Sequence, residues 1–287
     1  MAELIGAIGS SHAPSISFAF DAGHQEKQEW KPFFESYKPV HDWLKQKNVT
    51  TMIVIYNDHL NQFQFDAYPT FAMGIAKQLN IADEGIGARN FASVPGAPDF
   101  GWELAKSLVN DEFDLTICQE MELDHGVMSV LPLLMPPSWP IRIIPIHVNV
   151  LREPLPTPMR CWKLGQSIGR FIKNSACNER VVVASTGGLS HQIHGDNFGF
   201  VNPEWDNRFM DLLMHEPEIL AQATHEDYIY RGGLESVEMM LWLTMRGALS
   251  ETSESFNEIQ RFYWAPMLTG YGLLALEAEK PATPASK

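Results

Sequence analysis

The chain alternates between short apolar runs, which are typical of buried strands, and longer stretches whose apolar residues have helical spacing. The clearest strand is Met52–Tyr56, which is apolar or aromatic throughout and rich in β-branched residues. It is followed by Asn57, Asp58 and His59. In an open α/β sheet, side chains at strand ends lie beside a ligand crevice, although one such polar ending is also typical of an ordinary turn. The ending indicates a functional site only if the pattern recurs.

Four further strands and a series of helices follow from the same pattern. The predicted strands are Leu4–Ile8, Asp114–Gln119, Ile141–Val150 and Arg180–Ala184. Helical spacing is present in residues 25–47, Phe100–Asn110, Val127–Met135, Cys161–Asn174, Pro203–Leu213, Pro217–Ala223 and Gly233–Arg246. Because strands and helices alternate, we predict one α/β domain over residues 1–276. Its central sheet is expected to be mixed but largely parallel and flanked by helices, with an active site at the strand ends.

The remaining segments have weaker patterns. Residues 60–100 are rich in Phe, Ala, Gly, Pro and Asn, which predicts long loops with short helices folded over a site. Pro145 lies inside a predicted strand and suits an edge position or a bulge. Residues 259–276 are predicted to return to the sheet, and residues 277–287 are predicted to be a disordered tail.

Composition and charge narrow the function. The chain has 287 residues, of which 45% are hydrophobic, so a sizeable core can form. A net charge of −14 argues against nucleic acid or an anionic membrane as a partner, because both require a basic surface. Three cysteines without a CxxC motif indicate neither a disulfide framework nor a thiolate metal site, which favours the cytoplasm. We expect neither a signal peptide nor a transmembrane helix.

The polar ending after Met52–Tyr56 does recur, and histidine is its common member. Half of the ten histidines are at or just after predicted strand ends, namely His12, His59, His125, His147 and His191. Imidazole is a common metal ligand and also moves protons near neutral pH. Histidines that converge on one edge of a sheet therefore predict a metal site, a general base, or both.

Other roles remain open for several histidines. His147 is inside an apolar strand and equally fits a buried core histidine. His194 either supports His191 or faces solvent. The others lie in polar segments and are expected at the surface; they are His24, His41, His215 and His225.

A metal site built on two histidines would usually need a carboxylate, and the helix from Gly233 offers two candidates. Glu235 is in the first turn, where the helix N-terminus alone favours a carboxylate. Glu238 is flanked at helical spacing by Leu234 and Leu241, so its burial would require a cation or strong hydrogen bonds. Two histidines and one carboxylate suit non-haem Fe(II) and oxygen chemistry, but the same ligands bind zinc for hydrolysis. Sequence spacing decides neither between Glu235 and Glu238 as the ligand nor between iron and zinc as the metal.

Five motifs in order resemble a known family, the class III extradiol ring-cleaving dioxygenases, and in particular the catalytic β subunit of protocatechuate 4,5-dioxygenase. The motifs are Ser10-Ser11-His12, Tyr56-Asn57-Asp58-His59, Asp124-His125-Gly126, the segment TGGLSHQ at 186–192 and the segment GLESVE at 233–238. The resemblance extends from His12 to about Gly272. Each motif alone has little specificity, whereas five in order at matching separations form a specific pattern.

The resemblance implies a role for each matching residue. His12, His59 and Glu238 match the family's Fe(II) ligands. His191 matches the acid/base histidine, and His125 matches a second histidine that contacts oxygen or substrate. The remaining matches are Asn57 beside the metal, and Leu268 and Thr269 near the substrate's carboxylate, where the alignment is ambiguous by one residue.

The resemblance also implies the reaction and the partners. Fe(II) and O2 would open the ring of a catechol, in particular a carboxylated one such as protocatechuate or gallate, to a muconic semialdehyde. Either a separate small α subunit, giving a heterotetramer, or a homodimer of this chain would complete the enzyme. Two alternatives remain at this point: a zinc-dependent metallohydrolase, and a non-catalytic relative with the same fold.

Overall fold

The computed structural model describes residues 1–253 and 255–279. Its strands are β1 (Glu3–Ser10), β2 (Thr51–Tyr56), β3 (Phe71–Gly74), β4 (Gln78–Ile81), β5 (Val94–Pro95), β6 (Thr116–Cys118), β7 (Glu122–Leu123), β8 (Arg142–Val148), β9 (Arg180–Thr186), β10 (Phe256–Trp264) and β11 (Tyr271–Ala278). Its α-helices are α1 (Pro14–Asp21), α2 (Lys31–Ser36), α3 (Lys38–Gln46), α4 (Pro98–Asn110), α5 (His125–Met128), α6 (Leu131–Leu134), α7 (Pro158–Asn174), α8 (Pro203–His215), α9 (Pro217–Gln222), α10 (His225–Gly232) and α11 (Trp242–Thr252). Short 3₁₀ segments occupy His24–Glu26 and Leu234–Leu241.

Within the described residues, most strands join one eight-stranded sheet in the order β10-β11-β1-β9-β2-β8-β3-β6. Its four central strands, β1, β9, β2 and β8, are mutually parallel. Antiparallel pairs occur outside them, between β1 and β11, β10 and β11, and β3 and β8. The predicted single α/β fold with a mixed, largely parallel sheet is therefore confirmed. The return of residues 259–276 to the sheet is also confirmed, as β10 and β11.

Strand β2 is buried on both faces, which explains its continuous apolar run. Ile53 and Ile55 pack into the core on the side of α7 and α11. Met52 and Val54 pack on the opposite side with residues of α2 and α3. Each such side chain contributes about 1.5–3 kcal/mol on burial. Because both faces of β2 are covered, its polar continuation at Asn57 emerges only at the edge of the sheet.

Two predictions about local structure are wrong. Residues 60–100 contain the short strands β3, β4 and β5 where short helices were expected. These strands find partners elsewhere: β3 joins the main sheet, and β4 pairs with β5 and β7 in a small three-stranded sheet. Pro145 is in β8, an interior strand. It is tolerated there because the pairing of β8 with β3 ends at Met73–Ile146, which leaves Pro145 unpaired on the β3 side.

The helix predicted at Gly233–Arg246 forms in two parts. Leu234–Leu241 is a 3₁₀ segment, and α11 begins only at Trp242. In a 3₁₀ helix, residues three apart share one face, so Glu235 and Glu238 both face the same side. The predicted tail also starts too early, since β11 continues to Ala278; residues 280–287 lie outside the described residues. No helix in the described part of the chain is long and apolar enough to cross a membrane.

Candidate functional site

Three of the predicted site histidines follow central strands of the sheet. His12 follows β1, His59 follows β2, and His191 follows β9. Because these strands are parallel neighbours in the order β1-β9-β2, their carboxyl ends lie at the same edge of the sheet. All three side chains line one cavity of about 580 Å³. The sequence prediction that these histidines converge is correct.

The cavity is apolar on its outer walls and polar at its base. His125, Gly188, Glu238 and Thr269 also line it. Its apolar lining comes largely from the loop after β8 and from the 3₁₀ segment with its neighbours: Val150, Leu151, Leu155, Ile193, Ile229, Leu234 and Val237. Such a cavity suits a small ligand with an apolar body and a few polar groups directed toward the base.

The carboxylate of Glu238 lies between two imidazoles at the base of the cavity. Its Oε2 is 3.2 Å from His12 Nε2, and its Oε1 is 3.7 Å from His59 Nε2. The ligand atoms of these three residues lie within 4.8 Å of one another. His12 Nε2 is buried, and no described group is aligned to hydrogen-bond with it. A buried nitrogen with no partner, beside a second imidazole and a carboxylate, fits a site for a divalent metal ion.

Hydrogen bonds fix the tautomer of both imidazoles. His12 Nδ1 is 3.2 Å from the carbonyl of Gly126, which only accepts, and 2.9 Å from Thr186 Oγ1. His59 Nδ1 donates to Asp124 Oδ2 at 2.9 Å. In each ring Nδ1 is therefore occupied as a donor, and Nε2 is the nitrogen that faces Glu238. A carboxylate behind a histidine ligand is a common arrangement in metal sites because it orients the ring and raises its basicity.

The charges at the base of the cavity are strongly coupled. Burial alone would raise the pKa of Glu238, but the adjacent imidazoles hold this pKa well below its ordinary value. Burial lowers the pKa of His12. Burial also disfavours the charge of His59, but Asp124 and Glu238 outweigh it and raise the pKa of His59 to about 10. A cation at this position would replace the proton on His59, so metal binding and proton release are linked.

His191 presents one free nitrogen to the cavity. Its Nδ1 donates to the carbonyl of Leu189 at 2.7 Å, so the lone pair is on Nε2. Nε2 is 4.0 Å from Glu238 Oε2. The backbone of His191 pairs with Thr269 across an isolated bridge, which brings Thr269 into the lining. Leu268, the other predicted substrate contact, is 39% exposed and lies beside Gly199.

Asn57 lies beside both His59 and Glu238. Its Nδ2 is 3.0 Å from His59 Nε2 and 3.3 Å from Glu238 Oε1. Its Oδ1 is buried with no hydrogen-bond partner among the described residues. The side chain therefore contacts both candidate ligands from the turn that follows β2.

Asp58 and His147 hold this turn in place. The Asp58 carboxylate accepts the backbone N–H groups of residues 61, 62 and 63. His147 Nδ1 accepts the Asp58 N–H at 2.9 Å, and its Nε2 donates to the carbonyl of Pro69. Burial lowers the pKa of His147 to about 3, so the ring stays neutral. His147 is therefore the buried core histidine that its apolar strand allowed.

The other histidines lie away from the base of the cavity. His194 is at the cavity mouth, where its Nδ1 contacts Glu235 Oε1 at 2.6 Å. Glu235 thus has an exposed partner, whereas Glu238 is buried among the imidazoles. The four histidines expected at the surface are all partly or fully exposed; they are His24, His41, His215 and His225.

Two functional candidates were missed by sequence reasoning. Asp124 is fully buried and holds His59, and the adjacent His59 lowers its pKa despite the opposing effect of burial. It belongs to the Asp124-His125-Gly126 motif, but the resemblance implied a role for His125 alone. Glu84 binds His125 from a loop 41 residues earlier in the chain. No periodicity or spacing indicates that contact.

The segment after β9 needs glycine for close approach. A Cβ on Gly188 would lie 2.6 Å from His191 Cε1 and 3.2 Å from Glu238 Oε2. The N–H of Gly188 also donates to Glu238 Oε2 at 2.7 Å. Any side chain at this position would displace His191 or Glu238.

We therefore expect Gly188→Ala to impair the site. Overpacking of this kind costs about 1–3 kcal/mol of stability, and a shift of about 1 Å in a reacting group costs turnover about 100-fold. The measurements are kcat and the melting temperature. Gly101→Ala in α4 is the control, because its Cβ meets nothing closer than 3.6 Å. Equal kcat in Gly188→Ala and the unmodified protein would contradict the close approach.

Comparison with known proteins gives the site a family context. A family profile described as the catalytic LigB subunit of aromatic ring-opening dioxygenase matches residues 6–273. Gallate dioxygenase of Pseudomonas putida is 41% identical over 207 residues, an alignment that covers 71% of this chain and 60% of that protein. The chain thus spans about 60% of the length of that relative.

Two further relatives are named 2,3-dihydroxyphenylpropionate/2,3-dihydroxicinnamic acid 1,2-dioxygenase. The protein of Photorhabdus laumondii is 26% identical and aligns over 96% of this chain and 97% of its own length. The protein of Klebsiella pneumoniae (strain 342) is 32% identical over 79% of this chain and 85% of its own length. Among solved structures, an uncharacterized protein from Escherichia coli K12 superposes with a TM-score of 0.59 at 14% identity. The superposition covers 96% of this chain and 100% of the Escherichia coli chain, and it supports the fold alone.

Proposed function

The chain belongs to the LigB family of catalytic subunits of aromatic ring-opening dioxygenases, and from this membership we propose that it cleaves a catechol-type ring by extradiol dioxygenation. The observation that carries the proposal is the group formed by His12, His59 and Glu238 at the base of an apolar cavity. His191, with a free Nε2, lines the same cavity. A metal-ligand set, a nearby base and an apolar wall are the parts that this reaction needs.

Iron(II) is the metal that we propose for the site. Two imidazoles and one carboxylate that leave open coordination positions are typical of non-haem Fe(II) oxygenases. The unpartnered His12 Nε2 and the His59 Nε2 both face Glu238, which supports these three residues as ligands. Held by His12, His59 and Glu238, iron(II) would supply the redox chemistry that lets dioxygen react with the aromatic ring.

His191 is the acid/base residue in this proposal. Its Nδ1 is occupied by the carbonyl of Leu189, so Nε2 accepts a hydroxyl proton as the catechol binds. The same nitrogen would then return this proton to an oxygen atom of the product. Both oxygen atoms end in the ring-opened muconic semialdehyde-type product. The ring of His125 lies against that of His59 and lines the same cavity, and we propose that it contacts the reacting oxygen or the ring of the substrate.

The remaining cavity residues orient the ring and exclude water. Val150, Leu155 and Val237 form an apolar wall. Thr269 offers a hydroxyl near His191 and is our proposed contact for a ring carboxylate; Leu268, more exposed, lies beside it in sequence. Gallate dioxygenase among the relatives supports a carboxylated catechol such as gallate or protocatechuate as the substrate.

We propose that a partner covers the cavity mouth. Three apolar side chains of the lining are substantially exposed there: Leu151 at 40%, Ile193 at 44% and Leu234 at 46%. Exposed apolar groups around a site often mark an interaction surface. Either a small α subunit, giving a heterotetramer, or a second copy of this chain would bury them. All three cysteines are free, which agrees with the cytoplasmic location that we propose.

The function is tested by oxygen uptake after anaerobic loading with Fe(II). Protocatechuate, gallate, 2,3-dihydroxyphenylpropionate and unsubstituted catechol are each added under air. We expect one O2 consumed per ring, a new yellow absorbance, and the highest kcat/KM with a carboxylated catechol. Zinc-loaded protein is the control and should consume no oxygen. Absence of uptake with every catechol, despite bound iron, would refute the proposal.

A further inference from the structure

Glu84 binds His125 through both of its carboxylate oxygens. Oε1 accepts the backbone N–H of His125 at 2.8 Å, and Oε2 accepts Nδ1 of the ring at 2.5 Å. From this geometry we propose that Glu84 is a positioning residue, which holds the His125 ring so that Nε2 points at the bound substrate and oxygen. The inference rests on the proposed function, because it concerns how His125 serves the same cavity.

A second carboxylate in the site also accepts two hydrogen bonds from one histidine. Asp124 Oδ2 accepts both the backbone N–H of His59, at 2.7 Å, and its Nδ1, at 2.9 Å. A carboxylate that binds two donors of one residue restricts both the position of the residue and the rotation of its ring. In His59 the arrangement directs Nε2 toward Glu238. In His125 it fixes the proton on Nδ1 and leaves the lone pair of Nε2 directed away from Glu84.

The imidazole rings of His59 and His125 lie against each other. Their centroids are 3.9 Å apart, with an interplanar angle of 31°. His125 is therefore held on one side by Glu84 and on its face by His59. Both imidazoles line the cavity. Rotation of the His125 ring would break the Glu84 contact and the ring contact together.

The loop that carries Glu84 is itself anchored. Asp83 accepts the N–H groups of Gly85 and Gly87, both at 2.9 Å. Arg89 forms two hydrogen bonds to Asp21 at 2.6 Å and a third to the carbonyl of Met128, at the end of α5. The loop is thus tied to α1 and to the helix that begins at His125. An exposed ion pair between mobile side chains contributes little to stability. Glu84 differs because its loop is bonded to the same helix that carries His125.

The direct test is the Nδ1–H proton of His125 in zinc-loaded, diamagnetic protein. We expect a downfield proton resonance that disappears in His125→Gln, which assigns it. It should disappear in Glu84→Ala and persist in Ile86→Ala, a control at an exposed position of the same loop. Melting temperatures establish that each variant is folded. Persistence of the resonance in folded Glu84→Ala would overturn the proposal.

A double-mutant cycle gives the kinetic test. A misplacement of about 1 Å near the reacting atoms costs about 100-fold in rate, so kcat of iron-loaded Glu84→Ala should fall by up to that factor with unchanged iron content. In a His125→Ala background, Glu84→Ala should not lower kcat further, because the imidazole that Glu84 positions is already absent. An equal loss in both backgrounds would refute the positioning role. Should the unmodified protein prove inactive, the proposed function fails, and the proton resonance still decides the role of Glu84.

Discussion

Glu238→Ala is expected to abolish iron binding and, with it, ring cleavage. Glu238 is the only carboxylate that contacts both His12 and His59 within the described residues, at 3.2 and 3.7 Å. Loss of a residue that merely supports a metal ligand costs about 10–100-fold in affinity, so loss of a ligand should exceed about 100-fold. Iron content after anaerobic loading and gel filtration measures this directly.

Glu235→Ala is the matched control for that substitution. Glu235 is one 3₁₀ turn earlier on the same segment and lines the same cavity, but it contacts the exposed His194. Its loss should leave iron content unchanged. Equal retention of iron by Glu238→Ala and Glu235→Ala would show that the ligand has been assigned to the wrong residue.

His191→Ala is expected to keep its iron and lose turnover. Its Nε2 is near the candidate ligands, yet its Nδ1 is held by a backbone carbonyl, as suits a base rather than a ligand. A positioned acid/base group contributes about 10²–10⁴-fold, so kcat should fall by that factor. Iron content and anaerobic catechol binding should be largely unchanged. The measurements are kcat, iron content and an anaerobic titration with the substrate.

His215→Ala, at an exposed position of α8, controls for the loss of any histidine. It should match the unmodified protein in kcat and iron content. Loss of iron from His191→Ala would instead make His191 a ligand, and an unchanged kcat would remove it from the mechanism.

The convergence of the histidines was predictable because it follows from topology. Parallel strands present their carboxyl ends at one edge, so His12, His59 and His191 had to come together once β1, β2 and β9 were recognised. The burial of Glu238 was also predictable, since its neighbours along the segment are apolar. The 3₁₀ geometry was not, because helical periodicity over so short a stretch does not distinguish it from an α-helix.

The supports of the site could not be predicted in the same way. Glu84 reaches His125 through a loop without periodicity, and its hydrogen bonds exist only once that loop is folded. His147 is a similar case. Its strand position allowed either a functional role or a structural role in the core, and its hydrogen bond from the N–H of Asp58 shows that the role is structural. Contacts between a side chain and a distant backbone leave no pattern in the sequence.

His12, His59 and Glu238 are the residues that we propose hold iron(II) at the base of the cavity. The most direct measurement is anomalous diffraction at the iron edge from crystals grown anaerobically with Fe(II). We predict one strong anomalous peak, bonded to His12 Nε2, His59 Nε2 and a carboxylate oxygen of Glu238. A peak among His59, Asp124 and His125, the other group of described side chains here that could hold a metal ion, would show that this ligand assignment is wrong, as would iron bound only outside the cavity.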